Sequence, residues 1–573
     1  MNGVDLFLDL CEVMEPHMRE ESSKAVSGVK RCKSLAKFIK SQRSPPWPSP
    51  PTAILPTKDV ADELVECYIR TTETIYRILH IPTFRRDYEA LWESGTEPVS
   101  AFTVQLKLVL AIGATTYDEQ FSLRASAIRW IYEAQTWLSH PNLKSQLTIQ
   151  SLQTNTLLVL AQETVDVGGD SVWISTGALL RRAVHMGLHI DPARRPKMKT
   201  FAAEMRRRIW NTILEMALQS SMTSGGPPFL SLEDFDTEPP SNLDDDQLLA
   251  IDPMPKPEDE FSQMSIAIAL RKTFPIRLAV AKLLNDISSP GTYEETLRLD
   301  AELRASYKTL CRNLQRCSSN SGPSPSQFEI RAVDVLMYRY ISALHVPFFS
   351  PALHETAYAF SRKIVIEAAL KIWYSVYPPL SITTAQPHSD AASSNRNDLA
   401  RLTVAGSVFF RTVAMQATVL IAVELTAQLQ EEESLGHIPL RPDLLSVVDD
   451  GKAWCLKCIE MGETNIKGYL LMCVVLTQIE GLMRGIGKDA NPELLVKAAE
   501  EAEERCMPIL ENMAAQGRGE GTVDELHQMS LNTSPDVMQD WDFMMSETLF
   551  DPGNADPMSW MFNDEFRQGP SLW

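Results

Sequence analysis

Cysteine is scarce in this chain: nine residues in 573, an odd number at scattered positions. That excludes the paired framework of a small disulfide-stapled domain. Only Cys455 and Cys458 have the two-residue separation of a metal-binding pair. They lie in an apolar-periodic stretch with Trp454 and Ile459, and no second pair lies nearby. A tetrahedral zinc site needs four ligands, so the two read as buried thiols of a helix. Basic residues are missing from residues 1–16, where Asp5, Asp9, Glu12 and Glu15 stand; that is the wrong charge for a secretory leader. Long uninterrupted apolar runs are missing too. Residues 402–425 are broken by Arg411, and 468–483 by Gln478 and Glu480. Both predict buried helices of a soluble intracellular protein without a membrane span. Catalytic signatures are absent: no Gly-x-Ser-x-Gly elbow, phosphate loop, Gly-x-Gly-x-x-Gly turn or His-Glu-x-x-His pair, so no enzyme and no cofactor are expected. His185 and His189 lie four apart, but no acidic or cysteine partner completes a metal site, which favours a structural role.

Positive charge is in deficit overall. The formal net charge is −20, from 74 acidic and 54 basic residues, and phosphate contacts need Lys and Arg. Any nucleic-acid contact must therefore come from a local basic segment. Residues 22–57 contain no acid but hold Lys24, Lys30, Arg31, Lys33, Lys37, Lys40 and Arg43. Lys30, Arg31, Lys33, Lys37 and Lys40 fit a nuclear-import or phosphate-contacting arm. They equally fit a solvated helix whose Leu35, Phe38 and Ile39 cover a neighbour. Pro45, Pro46, Pro48, Pro50, Pro51 and Pro56 come next, a density that favours an extended, semi-rigid spacer. At the other end, residues 521–573 hold ten acids and one base, Arg567. Trp541, Phe543, Phe550, Trp560, Phe562, Phe566 and Trp573 are interleaved with the acids. Acidic-hydrophobic alternation is the composition of an amphipathic, disordered activation segment. Trp541, Phe543, Met544 and Phe550, then Trp560, Phe562 and Phe566, would anchor it in a coactivator groove. The bland alternative is a tail packed back on its own protein.

Between these ends, apolar spacing near 3.6 predicts an all-α body. The expected division is a segment of residues 1–57, a multi-helix domain of 58–513 and a tail of 514–573. Trp173, Gly177, Leu180, Val184, Gly187 and Leu188 share one helix face, with Arg181 and His185 on another. Met205, Ile209, Ile213 and Met216 form a second stripe. Glu204 precedes Arg208 by four, the favourable order for an intrahelical ion pair. Arg206, Arg207 and Arg208 read as the solvated face of that helix. Gly187-Leu188-His189 before Asp191-Pro192 reads as a helix stop. Loops are expected at 221–246, 318–326 and 381–397.

The order Trp173, Gly177, Arg181, Gly187, His189, Asp191, Glu204, Arg207, Trp210, Pro227, Asp234, Asp236, Pro240 resembles the middle homology region of fungal zinc-cluster (Zn2Cys6-type) transcription factors. Residues 76–84 (Tyr-Arg-Ile-Leu-His-Ile-Pro-Thr-Phe) resemble the segment before that family's first long helix. Residues 108–114, with Gly113-Ala114 at a close helix contact, resemble the next, and 338–348, ending Leu-His-Val-Pro-Phe, a later motif. The resemblance covers about 58–513. Two departures stand out. The family's usual Asp-Arg pair is Ala217-Leu218 here, and its Gly-Arg-Pro is Gly225-Gly226-Pro227. Both charges of the pair are gone together, which leaves no ion buried alone. The resemblance implies a nuclear, pathway-specific regulator of a catabolic or secondary-metabolite gene cluster. It implies a dimer or a zinc-cluster partner, and contact with the transcription machinery or a coactivator through the tail. The family's six-cysteine cluster is not in this sequence. DNA would be reached through a cluster encoded upstream, or only indirectly, as a coregulator recruited by a partner. A small-molecule sensor on the same scaffold is the remaining alternative.

Overall fold

The computed structural model describes residues 24–516, except 94–98, 141–146, 169–170, 195–197, 287–290, 320–322, 380–396, 407–408, 436–440 and 486–491. Among the described residues every regular element is a helix, as the 3.6-residue spacing predicts. The first nine are α1 (Lys24–Arg43), α2 (Lys58–Arg70), α3 (Thr72–Ile75), α4 (Ile81–Glu93), α5 (Ala101–Tyr117), α6 (Arg124–Leu138), α7 (Ile149–Val165), α8 (Val172–His185) and α9 (Thr200–Ser224). The rest are α10 (Ser265–Leu284), α11 (Tyr293–Ser319), α12 (Gln327–His345), α13 (Ala359–Val376), α14 (Asp398–Ala405), α15 (Phe409–Leu435), α16 (Pro442–Glu460), α17 (Lys467–Met483) and α18 (Pro492–Gln516). The described residues form two compact units: one within residues 44–424, and one of residues 24–43 together with those of 425–516. These limits differ from the composition-based ones at 57/58 and 513/514.

The larger unit is built around α5. Every residue from Thr103 to Thr116 is buried, as a helix apolar on all sides requires. Ser100 starts it with a capping box, its hydroxyl accepting from the Thr103 N–H. α2, α6 and α7 pack around α5. The approach to α2 is so close that a Cβ on Gly113 would lie 2.0 Å from the Leu64 carbonyl oxygen. Gly113 is therefore required at the close helix contact expected for it. Farther along, α8 packs on α9, α10 on α11, and α12 on α13.

Two expectations need correction here. α8 buries Val172, Thr176, Leu179, Leu180 and Ala183, whereas Val184 is exposed and Trp173 half-buried. The stripe read from the sequence is rotated from the true packing face because the helix ends at His185, so Gly187 and Leu188 do not continue its periodicity. The proline-rich segment has no regular secondary structure, and it is no free spacer. The Ser49 N–H donates to Thr136 Oγ1 at 3.0 Å, and the Thr52 N–H donates to Glu133 at 3.2 Å. Buried Lys107 donates to the Thr52 carbonyl at 2.6 Å and pairs with Glu133.

In the smaller unit α1 packs on α18, α18 on α17, and α17 on α16. α1 buries Ala25, Val29, Cys32, Leu35 and Ile39, a spacing of four, three, three and four. Cys455 and Cys458 are buried on α16, the position expected of packing thiols. Burial likewise pushes the thiols of Cys32 and Cys506 up to about 11 and about 12. The span Phe409–Gln430 of α15 is long and apolar enough to cross a membrane, and 72% of its most apolar window is buried within the protein.

Candidate functional site

The residues singled out between 173 and 240 converge on one junction of the larger unit. α8 stops at His185. Gly187 takes φ +72°, and the Leu188 N–H reaches back to the Ala183 carbonyl at 3.0 Å, the six-to-one bond of a Schellman stop. Beyond it the Asp191 N–H donates to Asp236 Oδ1 at 2.8 Å, and the Asp236 N–H donates to the His189 carbonyl at 3.0 Å. The Thr237 hydroxyl closes on the Leu188 carbonyl at 2.6 Å. The loop after α9 thus folds back along the loop before it.

Arg207 locks this clasp. Its guanidinium grips Asp191 through two donors, at 3.0 and 2.8 Å, and Glu204 through a third at 2.7 Å. Burial alone would raise the Asp191 carboxyl. The Arg207 guanidinium and the N–H groups of Ala193 and Glu238 bring it down instead, to about 2. Glu204 also accepts from the Ser241 N–H and hydroxyl, both at 2.9 Å. Arg194 pairs with Asp236 at 2.5 Å. Asp234 is exposed and caps a short 3-10 turn by accepting from the Ser231 N–H at 2.7 Å.

The three consecutive arginines are not a solvated face, and Glu204 does not pair with Arg208. Glu204 takes Arg207, three residues on, while Arg208 is wholly buried against Asp245. Asp245 Oδ1 accepts from Arg208 at 2.5 Å and from Arg77 at 3.0 Å, and Oδ2 accepts from the Ile81 N–H at 2.9 Å. The Asp245 carbonyl meets His80 Nε2 at 2.9 Å. Residues 76–84 and 173–245 therefore meet at one buried carboxylate. Burial would raise Asp245, but Arg77 and Arg208 hold it below the ordinary range. A second buried pair, Arg277 on Glu215 at 2.6 and 2.8 Å, ties α10 to α9. It lies on α9 just before Ala217 and Leu218, both buried apolar residues. The scaffold keeps one buried ion pair where the family's other charges are replaced.

Gly226 has a local reason. A Cβ there would lie 2.7 Å from the Trp173 ring. Trp173 stacks at 5.7 Å on exposed Phe229, whose φ is +45°. Pro227 sits next to Gly226 on the same loop, half-exposed. Trp210 is buried, its ring 5.7 Å from Phe235 and 6.5 Å from His189. Gly177 and Arg181 lie on α8, Arg181 exposed. Chemically, this junction neutralises its own charges. Arg194, Arg207 and Arg208 are held by carboxylates, and Arg206 by the Met186 carbonyl. Among the described residues no group of three or more His, Cys, Asp or Glu is placed to hold a metal.

Of the basic arm, Lys30, Arg31, Lys33, Lys37 and Lys40 lie on α1 and are exposed; Arg31 pairs with Glu511 of α18. Trp541, Phe543, Met544, Phe550, Trp560, Phe562 and Phe566 lie outside the described residues. Sequence reasoning missed an apolar pocket lined by Tyr76, Leu160, Glu163, Phe328, Phe409 and Phe410. Burial raises its Glu163 to about 7. The lining comes from distant parts of the chain, so no local pattern marks it.

The family model described as "Fungal specific transcription factor domain" matches residues 65–301. Transcription factor opdR of Penicillium oxalicum is 32% identical over 92% of this chain and 69% of its own length. Transcription factor lepE of Aspergillus flavus is 32% identical over 80% of this chain and 55% of its own length. The aspyridones cluster regulator apdR of Emericella nidulans is 29% identical over 74% of this chain, which spans 57% of that relative. No solved structure matches.

Proposed function

The chain belongs to the fungal-specific transcription factor family, and we propose that within it this protein is a nuclear, pathway-specific activator of one secondary-metabolite gene cluster. The observation that carries this reading is the match along 92% of the chain to a transcription factor, joined by a relative named as the regulator of a single cluster. The division of labour comes from charge. The helical body pairs its own arginines with Asp191, Glu204, Asp236 and Asp245, which supports a scaffold role and no enzymatic one. DNA contact belongs to a zinc-cluster partner or to a cluster outside these residues. The basic face of α1 serves import. The acidic tail recruits the transcription machinery through Trp541, Phe543, Met544 and Phe550, with Trp560, Phe562 and Phe566 as a second set.

Residues 521–573 fused to an unrelated DNA-binding domain should activate a reporter, and Trp541→Ala with Phe543→Ala should reduce the output several-fold. A silent fusion removes the activation claim. Small-molecule sensing is a second reading, favoured by the pocket around Tyr76, Leu160 and Glu163. A product of the controlled pathway that raises the melting temperature of the protein, but not of Leu160→Trp, would support it. No shift with any product would dismiss it.

A further inference from the structure

Among the described residues of the larger unit, Arg77, Arg208, Arg277 and Arg339 are almost wholly buried. The first three have a carboxylate: Arg77 and Arg208 share Asp245, and Arg277 takes Glu215. Arg339, on α12, has no ion-pair partner among the described residues. Its Nη2 donates to the Met222 carbonyl at 2.7 Å and to Thr223 Oγ1 at 3.4 Å. Its Nε and Nη1 are buried with no acceptor. Met222 and Thr223 lie in the last turn of α9, the end of a helix that carries roughly half a negative charge. The Phe409 ring lies 5.2 Å from the guanidinium carbon. Burial brings Arg339 down to about 10, so it keeps its charge at neutral pH. A helix end and a ring face offset part of that charge, and neither gives Nε or Nη1 an acceptor.

Arg339 borders a cavity between α12, α13 and α15, with Ser342, Ile372, Val413, Gln416 and Leu420 around it. No acid is among the described residues that line it. The cavity volume is about 10 Å³, room for a single particle near the size of a water. A water there would satisfy the nitrogens but leave the charge unanswered, and a buried ion without a counter-charge is the costly case. The carboxyl whose charge acts on Arg339 is Glu163 of α7. Glu163 accepts from the Phe409 N–H, and burial holds it up to about 7, so it is a weak counter-ion at neutral pH. A monatomic anion meets both needs: it accepts from the guanidinium and cancels its charge. Chloride is only slightly larger than water. The Ser342 hydroxyl, one turn along α12 and on the same cavity, can donate to it as well.

We propose that Arg339 forms a halide site, in which one chloride ion binds in the cavity between α12, α13 and α15 as the counter-ion of the buried guanidinium. Bound chloride joins α13 and α15 to the arginine that holds the end of α9, so the stability of the larger unit depends on chloride. The site stands apart from the clasp at Asp191 and from the activation and sensing readings.

The test melts the full chain in sodium gluconate while sodium chloride replaces it at constant ionic strength. Gluconate is too large for the cavity. A ligand that binds only the folded state raises the melting temperature by mass action, so the wild type should gain several degrees along a curve that saturates. Equilibrium dialysis against radiolabelled chloride should count one site per chain. Arg339→Met keeps the length of the side chain without its charge and should give a flat curve. Ala417→Leu fills the cavity from α15, where Ala417 is part of the lining, and should also give a flat curve. Circular dichroism reports whether each variant folds, and either one that folds suffices. Glu163→Gln should keep the chloride response. A wild type that is flat and binds no chloride in dialysis would overturn the proposal. An equal rise in Arg339→Met would also overturn it, as a general salt effect. So would a response that appears only in Glu163→Gln, since Glu163 would then be the counter-ion, or one given by acetate and not by chloride.

Discussion

Asp245 stands inside the run Asp244-Asp245-Asp246, and nothing in the sequence separates it from its neighbours. Its partners are 37 and 168 residues away, so no local window contains the pair. Arg208 was illegible for the same reason: three consecutive arginines look like a wet surface until the carboxylates arrive from elsewhere. Removing one partner of a buried ion pair strands the other charge. Asp245→Asn should therefore destabilise the larger unit by about 3–5 kcal/mol in denaturant unfolding. A loss near zero would mean that Arg77 and Arg208 find water instead. Buried carboxyls also set a pH dependence. Burial raises Glu503 on α18 and Glu73 beside Tyr68 to about 8, above the roughly 4.3 of an unfolded glutamate. The folded chain holds protons there that the unfolded chain releases. The stability these groups contribute is full below the unfolded value and is lost as pH rises toward about 8. Asp191, at about 2, works in the opposite sense, and its contribution is lost only as pH falls below about 4. The denaturant midpoint should fall between about pH 5 and 8, and Glu503→Gln should flatten that slope. An equal slope in wild type and variant would contradict the assignment.

Among the elements, a close helix contact at Gly113 was legible through the family resemblance, while its partner α2 was not. The Leu64 carbonyl oxygen occupies the space of a Cβ there. Gly113→Ala should force the helices apart and cost about 1–3 kcal/mol, seen as a lower melting temperature. An unchanged melting temperature would show that α2 shifts freely. The stop of α8 at Gly187 was also legible, since glycine adopts positive φ without strain. The packing face of α8 was not. Extending its periodicity past the stop rotated the stripe and placed Val184 inside. At the loop after α9, restoring the family's residue with Gly226→Arg should eject Trp173 from Phe229. The expected signs are greater quenching of tryptophan fluorescence by acrylamide and a lower melting temperature.

Taken whole, the molecule departs from an even mix of charge at its two ends: residues 22–57 hold no acid, and residues 521–573 hold ten acids and one base. Composition alone reveals that departure, and apolar spacing reveals the all-α class. Which helices meet, and which carboxylate reaches which arginine, depends on long-range packing that a single sequence does not encode in any window. The family's ordered motifs were legible because some are backbone devices, such as Gly113 at a close helix contact and Gly187 at the positive φ of a helix stop. The function proposed at this scale is control of one gene cluster. Genome-wide transcript measurement, in the fungus with the gene deleted and in a parallel overexpressing strain, decides it. One contiguous set of biosynthetic genes should fall on deletion and rise on overexpression. Transcripts unchanged in both strains, or altered without clustering, would contradict that role.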